Sequence, residues 1–253
     1  MQIGADVYCD SQCILRELER RFPEPTFFPG GSDGMAWGIS RWCDGELFSS
    51  VVKLVMGTMG DQLPADFAKD RARLYLGPDV AFNQLQDELP HITSQIRAQF
   101  GWIDERLATG RQFMLGDAPG LPDLLTYYLV WFLRGRWEPA PDFLKQFPAL
   151  ESWEQRVKAI GHGTEIEMSA EDALVIAKST TPITPRRVAS GDPLNLEAGM
   201  KIAITQDLDS GDPEVIGILQ YADRDTVAIL HENDQVGTIC INFPRVGYRI
   251  AIE

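Results

Sequence analysis

The stretch from Leu121 to Leu133 constrains this chain more than any other part of it. From Leu124 to Leu133 every residue except Thr126 is apolar, so a helix here is apolar on all sides. Such a helix has to be surrounded by lipid or by protein. Pro122 and Asp123 open the run, and it falls well short of the roughly 20 residues that a bilayer requires. A helix apolar all round and too short for a membrane is the central helix of a globular bundle.

The flanking sequence supplies the rest of such a bundle. Met35 to Met56 reads as one long helix interrupted at Gly45, Pro64 to Leu76 as a shorter one, and Val80 to Leu107 as another long one disturbed at Pro90. Pro148 to Ile160 and Ala170 to Lys178 complete the set. Before the bundle, Gln2-Ile3 and Val7-Tyr8 read as strand. Ser11 to Arg21 follows as a helix with Ile14, Leu18 and Phe22 on one face, stopped by Pro23 and Pro25. One strand and one helix cannot bury a core alone. After a linker from Ser179 to Asp192 the apolar period changes to two. Met200–Thr205, Val215–Tyr221, Thr226–Leu230, Val236–Ile241 and Tyr248–Ile252 are short strands. Turn chemistry such as Asp209-Ser210-Gly211-Asp212 and Glu232-Asn233-Asp234 separates them. The fold class expected is mainly α: a β-α unit over residues 1–25, a helical bundle over 32–178, and a small antiparallel β barrel over 193–253.

A formal net charge of −14 argues against nucleic acid and against anionic membrane surfaces, both of which are bound through Lys and Arg. The opening Met1-Gln2-Ile3-Gly4-Ala5-Asp6 is not a signal peptide, and four cysteines do not build a disulfide scaffold, so cytoplasm is the expected location. Cys9 and Cys13 fit no strong metal or redox spacing and read as small buried hydrophobes. His91, His162 and His231 are scattered, with no ligand pattern. Asp207, Asp209, Asp212 and Glu214 lack the spacing of a calcium loop and read as a solvated turn. No metal is expected.

Three stretches resemble the glutathione S-transferase family. Gly116-Asp117-Ala118-Pro119-Gly120-Leu121-Pro122-Asp123 resembles the start of that family's central helix, where a Ser or Thr N-cap is followed three residues later by Asp. Gly120 stands in the N-cap place and Asp123 remains, which makes Asp123 a structural capping residue. Phe147-Pro148-Ala149-Leu150-Glu151-Ser152-Trp153-Glu154-Gln155-Arg156 is similar to the next signature helix, Pro-x-Leu-x-x-Trp-x-x-Arg. Asp10-Ser11-Gln12-Cys13-Ile14 is similar to the acid/amide-Ser-x-Ala-Ile stretch of the family's thioredoxin-like half, with Cys13 in place of Ala. Phe243-Pro244-Arg245-Val246-Gly247-Tyr248 resembles the end of a β extension carried by some bacterial members.

The resemblance implies a co-substrate and a site. Glutathione's γ-glutamyl carboxylate would sit at the helix start, with the Ser11 hydroxyl as donor, and Asp10 would take its α-amino group. A small apolar electrophile would lie against the first and central bundle helices, which offer Trp37, Arg41, Trp42, Tyr127, Tyr128 and Trp131. The alternative reading of Asp10 and Ser11 is a plain helix cap; that of the aromatics is core. The family's thiol-activating Ser, Tyr or Cys and its cis-proline would precede Met1, leaving the residues at hand as a remnant of the thioredoxin-like domain. Two functions stay open: conjugation of glutathione to electrophiles, impaired for want of that residue, and a non-catalytic interaction module. The family's homodimer is allowed under either.

Overall fold

The computed structural model describes residues 1–77, 79–207 and 212–253. Two short strands, β1 (Gln2–Ile3) and β2 (Asp6–Tyr8), lead into helix α1 (Asp10–Arg21). With the carboxy-terminal part they form one unit, Met1–Pro23 plus Thr164–Glu253; Glu24–Gly163 is the other.

The helical unit realises the 3.6-residue patterning. The helix expected from Met35 to Met56 is α2 (Asp33–Trp42), one π-helical turn at Cys43–Leu47, and α3 (Phe48–Met59). The turn widens around Gly45, where the sequence placed an interruption. It is followed by α4 (Ala65–Leu76), a 3₁₀ segment at Phe82–Glu88, and α5 (Leu89–Ala108). Pro90 lies in the first turn of α5, where its missing N–H has no helical partner to lose. Next come α6 (Leu121–Arg136), the short α7 (Ala140–Leu144), which no sequence pattern announced, and α8 (Pro148–Lys158). Leu47, Ile96, Phe100, Leu129, Leu133 and Trp153 are fully buried at the centre. Arg134 of α6 grips Glu154 of α8 through two charge-assisted bonds, Nε–Oε1 at 2.9 Å and Nη2–Oε2 at 2.6 Å. The apolar run of α6 is not wholly enclosed. Leu124 and Trp131, seven residues apart on one stripe, are exposed, Trp131 at 59%.

The second unit contains α9 (Ala170–Ser179) and strands β3 (Arg187–Val188), β4 (Lys201–Gln206), β5 (Val215–Ala222), β6 (Thr226–Asn233), β7 (Gly237–Pro244) and β8 (Tyr248–Ile252). The five strands expected are all present. The antiparallel barrel is not: the sheet is mixed and open. Its order is β1-β2-β7-β6-β5-β4-β8, with β3 added alongside β5 in parallel. Closing the carboxy-terminal strands into a barrel would need β7 to pair with β8. The free edge of β7 is instead occupied by β2, in parallel, with Asp6 opposite Cys240 and Tyr8 opposite Asn242. Sequence periodicity carries no information about which edge meets which. The core of this sheet is Ile202, Ile204, Leu219, Val227, Ile229 and Phe243. Of the expected turns, Glu232-Asn233-Asp234 is built with the Asn233 side chain accepting the Gln235 N–H at 2.9 Å. Asp209, Ser210 and Gly211 lie outside the described residues. No helix among the described residues is long and apolar enough to cross a membrane.

Candidate functional site

A single residue, Cys9, separates β2 from α1, and its N–H donates to the Asn242 carbonyl of β7 at 2.9 Å. That bond fixes the helix start against the sheet. Asp10, the first helical residue, has φ = 68°, a left-handed conformation that is uncommon outside glycine. Its Oδ1 accepts the Gln12 N–H at 2.8 Å and the Ser11 hydroxyl at 3.3 Å. Ser11 is exposed and Asp10 half-buried. The Gln12 amide donates to the Val246 carbonyl at 3.2 Å, and the Cys9 sulfur lies 3.7 Å from the Tyr248 hydroxyl. Asp10 and Ser11 are thus brought together at a helix N-terminus beside the β7–β8 connection. Such an end offers N–H groups and a positive dipole to an anion, and Asp10 offers a carboxylate to a cation. The Gln12 bond also gives Asp10 a capping role within its own helix.

Of the six expected pocket residues, Trp42, Tyr127 and Tyr128 are half-buried and pack against one core cluster. Trp37 packs on Phe28, with ring centroids 5.5 Å apart. Tyr127 meets Trp153 edge-on at 6.5 Å, and the Tyr128 hydroxyl donates to Asp44 at 3.2 Å. Arg41 and Trp131 are exposed. Only Trp42 of the six lines an apolar cavity, of about 500 Å³, among Met35, Ile39, Trp102, Arg106 and Leu115. The sequence contains the stripe Met35, Ile39, Trp42 at helical spacing, but nothing in it names Trp102 and Arg106 as the facing wall.

Asp123 is fully buried. Its Oδ2 accepts the Gly120 N–H at 3.0 Å, and its Oδ1 accepts the Met114 N–H at 2.9 Å and the Trp153 indole N–H at 2.7 Å. Burial pushes the carboxyl above its ordinary value against these three donors. Only half of a capping box is present, because Gly120 has no side chain to answer Asp123. A Cβ at Gly120 would lie 2.9 Å from Pro29 Cδ and 3.0 Å from the Phe27 carbonyl oxygen, so the segment 27–29 occupies the place of a capping hydroxyl.

A second cleft, of about 530 Å³, escaped the sequence reading. Tyr8, Cys13, Arg16, Glu17, Asp223 and Asn242 are among its walls. Arg16 pairs with Asp225 of the β5–β6 turn at 3.2 Å, and the charged side of α1 thereby forms one wall of the cleft. Burial pushes the Cys13 thiol up to about 12, which leaves it un-ionised at neutral pH. Burial also opposes ionisation of Glu17, but hydrogen bonds from Arg20, Arg21 and Tyr8 outweigh it and hold Glu17 at about 2, below its ordinary 4.5. A depressed carboxyl adds stability above pH 4.5 that is lost as pH falls through about 2. Glu17→Gln should therefore cost about 1–2 kcal/mol at pH 7, a figure discounted for the exposure of Arg20. Its stability curve should converge on that of the native chain near pH 2, as urea titrations across pH would record. A difference constant from pH 7 to pH 2 would refute this account of Glu17.

Among the described residues no group of three or more His, Cys, Asp or Glu side chains gathers to hold a metal. Residues 86–156 match the family described as glutathione S-transferase, C-terminal domain. A GST-like protein from Pseudomonas syringae, solved as a crystal structure, is 27% identical over 100% of this chain and 80% of its own, with a TM-score of 0.80. A glutathione S-transferase from Rhodospirillum rubrum F11 is 17% identical over 59% of this chain and 60% of its own, with a TM-score of 0.42, too partial a likeness to weigh. No curated protein matches the chain.

Proposed function

We propose that the chain is a relative of the glutathione S-transferases, to whose C-terminal domain residues 86–156 are similar, and that the start of α1 binds glutathione. Asp10 takes the α-ammonium, and the Ser11 hydroxyl with the first-turn N–H groups takes the γ-glutamyl carboxylate. The observation that carries this reading is the backbone of Asp10: a non-glycine residue held at φ = 68° where a carboxylate and an exposed hydroxyl stand side by side. Backbone conformations of this kind cost of order 1 kcal/mol and cluster at ligand sites. The family's chemistry is attack of the glutathione thiolate on an electrophilic carbon, with departure of a leaving group. A small apolar electrophile as second substrate and a cytoplasmic location belong to the same proposal.

Titration calorimetry with glutathione tests it. Asp10→Ala should weaken binding by about tenfold, the worth of one charge-assisted contact. Asp10→Gly relieves the backbone and should lose the ligand equally. If Asp10→Gly instead gains stability and binds as the native chain does, Asp10 is only a cap.

A second reading, a module for assembly or self-association, is favoured by exposed apolar side chains in and before α9: Ile166 at 93%, Met168, Leu174 and Val175. Light scattering separates the two. A monomer at all concentrations, with no glutathione bound, would count against both.

A further inference from the structure

We infer that the cleft beside α1 is a site for a neutral sugar of disaccharide size, bound without any need of glutathione. The cleft belongs wholly to the unit of Met1–Pro23 and Thr164–Glu253, and Asp10 and Ser11 are not among its walls. Tyr8, Cys13 and Asn242 are the buried side chains of its lining. One wall is the charged side of α1; the other is the segment Ile183 to Pro185 with the β5–β6 turn. A space of about 530 Å³ falls within the range of small-molecule sites.

The charges of this lining answer one another. Arg16 pairs with Asp225 at 3.2 Å, and Glu17 accepts from Arg20 at 2.7 and 2.8 Å and from Arg21 at 2.5 Å. Asp223 accepts the Tyr221 hydroxyl at 2.6 Å and the N–H groups of Asp225 and Thr226, each at 2.8 Å. A guest ion would have to draw one of these groups from its partner. Losing Arg20 would cost Glu17 heavily, since its side chain is only 9% exposed. A neutral guest disturbs none of the pairs. What the lining still offers is of both kinds. A carboxylate has about four acceptor positions; Asp223 accepts three bonds here, and Asp225 accepts from Arg16 and Arg224. Arg20 donates to Glu17 through Nε and Nη2, from a guanidinium fork of about five N–H groups in all. An ammonium only donates and a carboxylate only accepts, whereas a hydroxyl does both at no net charge. A guest rich in hydroxyls therefore matches what remains. Ile183, Pro185 and the Tyr221 ring add apolar surface for the C–H face of a sugar ring.

Saturation-transfer NMR and calorimetry with cellobiose, maltose and lactose, in the absence of glutathione, test the inference on the full chain. At least one of the three should bind with a dissociation constant of about 1 mM or tighter. The amino sugar and the uronic acid built on the skeleton that binds best should each bind about tenfold more weakly, the worth of one charge-assisted contact disturbed. Tyr221→Phe, at a half-buried side chain, should weaken the neutral sugar about fivefold by removing a hydroxyl from the cleft. Pro185→Trp, at an exposed position of the rim, should abolish binding by filling the space while the chain keeps its melting temperature. Should that variant fail to fold, Tyr221→Phe decides alone. Absence of binding by all three sugars at ten times the expected dissociation constant overturns the inference. So does a charged analogue that binds more tightly than its neutral parent, or binding that both variants leave unchanged. Adenosine, neutral but planar and poorer in hydroxyls, should bind less tightly than the best sugar; the reverse order overturns the ligand class.

Discussion

Asp123→Ala should lower the unfolding free energy of the helical unit by about 3–5 kcal/mol, enough to unfold a marginal domain. Three buried donors converge on this carboxylate: the Met114 N–H, the Gly120 N–H and the Trp153 indole. Alanine would leave all three without an acceptor, each at about 1–3 kcal/mol before relaxation. Water entering the space left behind would recover part of that loss, which is why the total falls below the simple sum. Asn at the same position keeps one acceptor oxygen but turns an NH₂ toward a donor, so Asp123→Asn should cost roughly half as much. The midpoint of urea denaturation, followed by tryptophan fluorescence, reads both. A loss under about 1 kcal/mol for the alanine variant would mean that the three bonds do not act in solution. The two signature stretches of the sequence thus form one hydrogen-bonded unit, since the Trp of the second donates to the Asp of the first.

Gly120→Ser should also destabilise, by about 2–3 kcal/mol, even though serine is among the best N-caps and normally adds about 1 kcal/mol over less suitable residues. The family pattern has a hydroxyl here, and a consensus argument would restore it. In this chain the new Cβ would meet the Phe27 carbonyl oxygen at 3.0 Å and Pro29 Cδ at 2.9 Å. Neither atom is the free end of a flexible side chain, and the Phe27 carbonyl already accepts the Leu121 N–H at 2.8 Å. A displacement would break that bond. A thermal scan in which Gly120→Ser melts above the native chain would show that segment 27–29 yields at little cost.

How much of this was readable beforehand differs by element. Helix α8 and strand β8 were legible nearly to the residue, because Pro148 marks a helix start and Tyr248–Ile252 alternates cleanly. The π turn at Cys43–Leu47 was anticipated as an interruption because glycine interrupts helical propensity. Helix α7 was invisible: five residues are too few to set up a period. The barrel expectation failed where sequence has no voice, at the edge of β7, which accepts a strand from the far end of the chain. At the candidate site, Asp10 and Ser11 were visible as a pattern, but the backbone angle of Asp10 was not. Nor was the cleft lined by Arg16 and Glu17, since burial of a charged helix face depends on partners such as Asp225 more than 200 positions away. The aromatic residues named for the pocket were chosen by type, which carries no word of their partners: Tyr127 meets Trp153 edge-on and the Tyr128 hydroxyl donates to Asp44.

Asn242 and Val7, bonded where β7 meets β2, are 235 positions apart. A ribosome adding about 5–20 residues per second delivers the later strand roughly ten to fifty seconds after the earlier one. Over that interval the Asp6–Tyr8 strand has its backbone donors and acceptors open on the side that β7 will take, a ready template for another chain. Glu24–Gly163 is continuous and can mature inside the same interval. Nascent chains halted before Gly237 should therefore show a protease-resistant helical body with a labile amino-terminal tail.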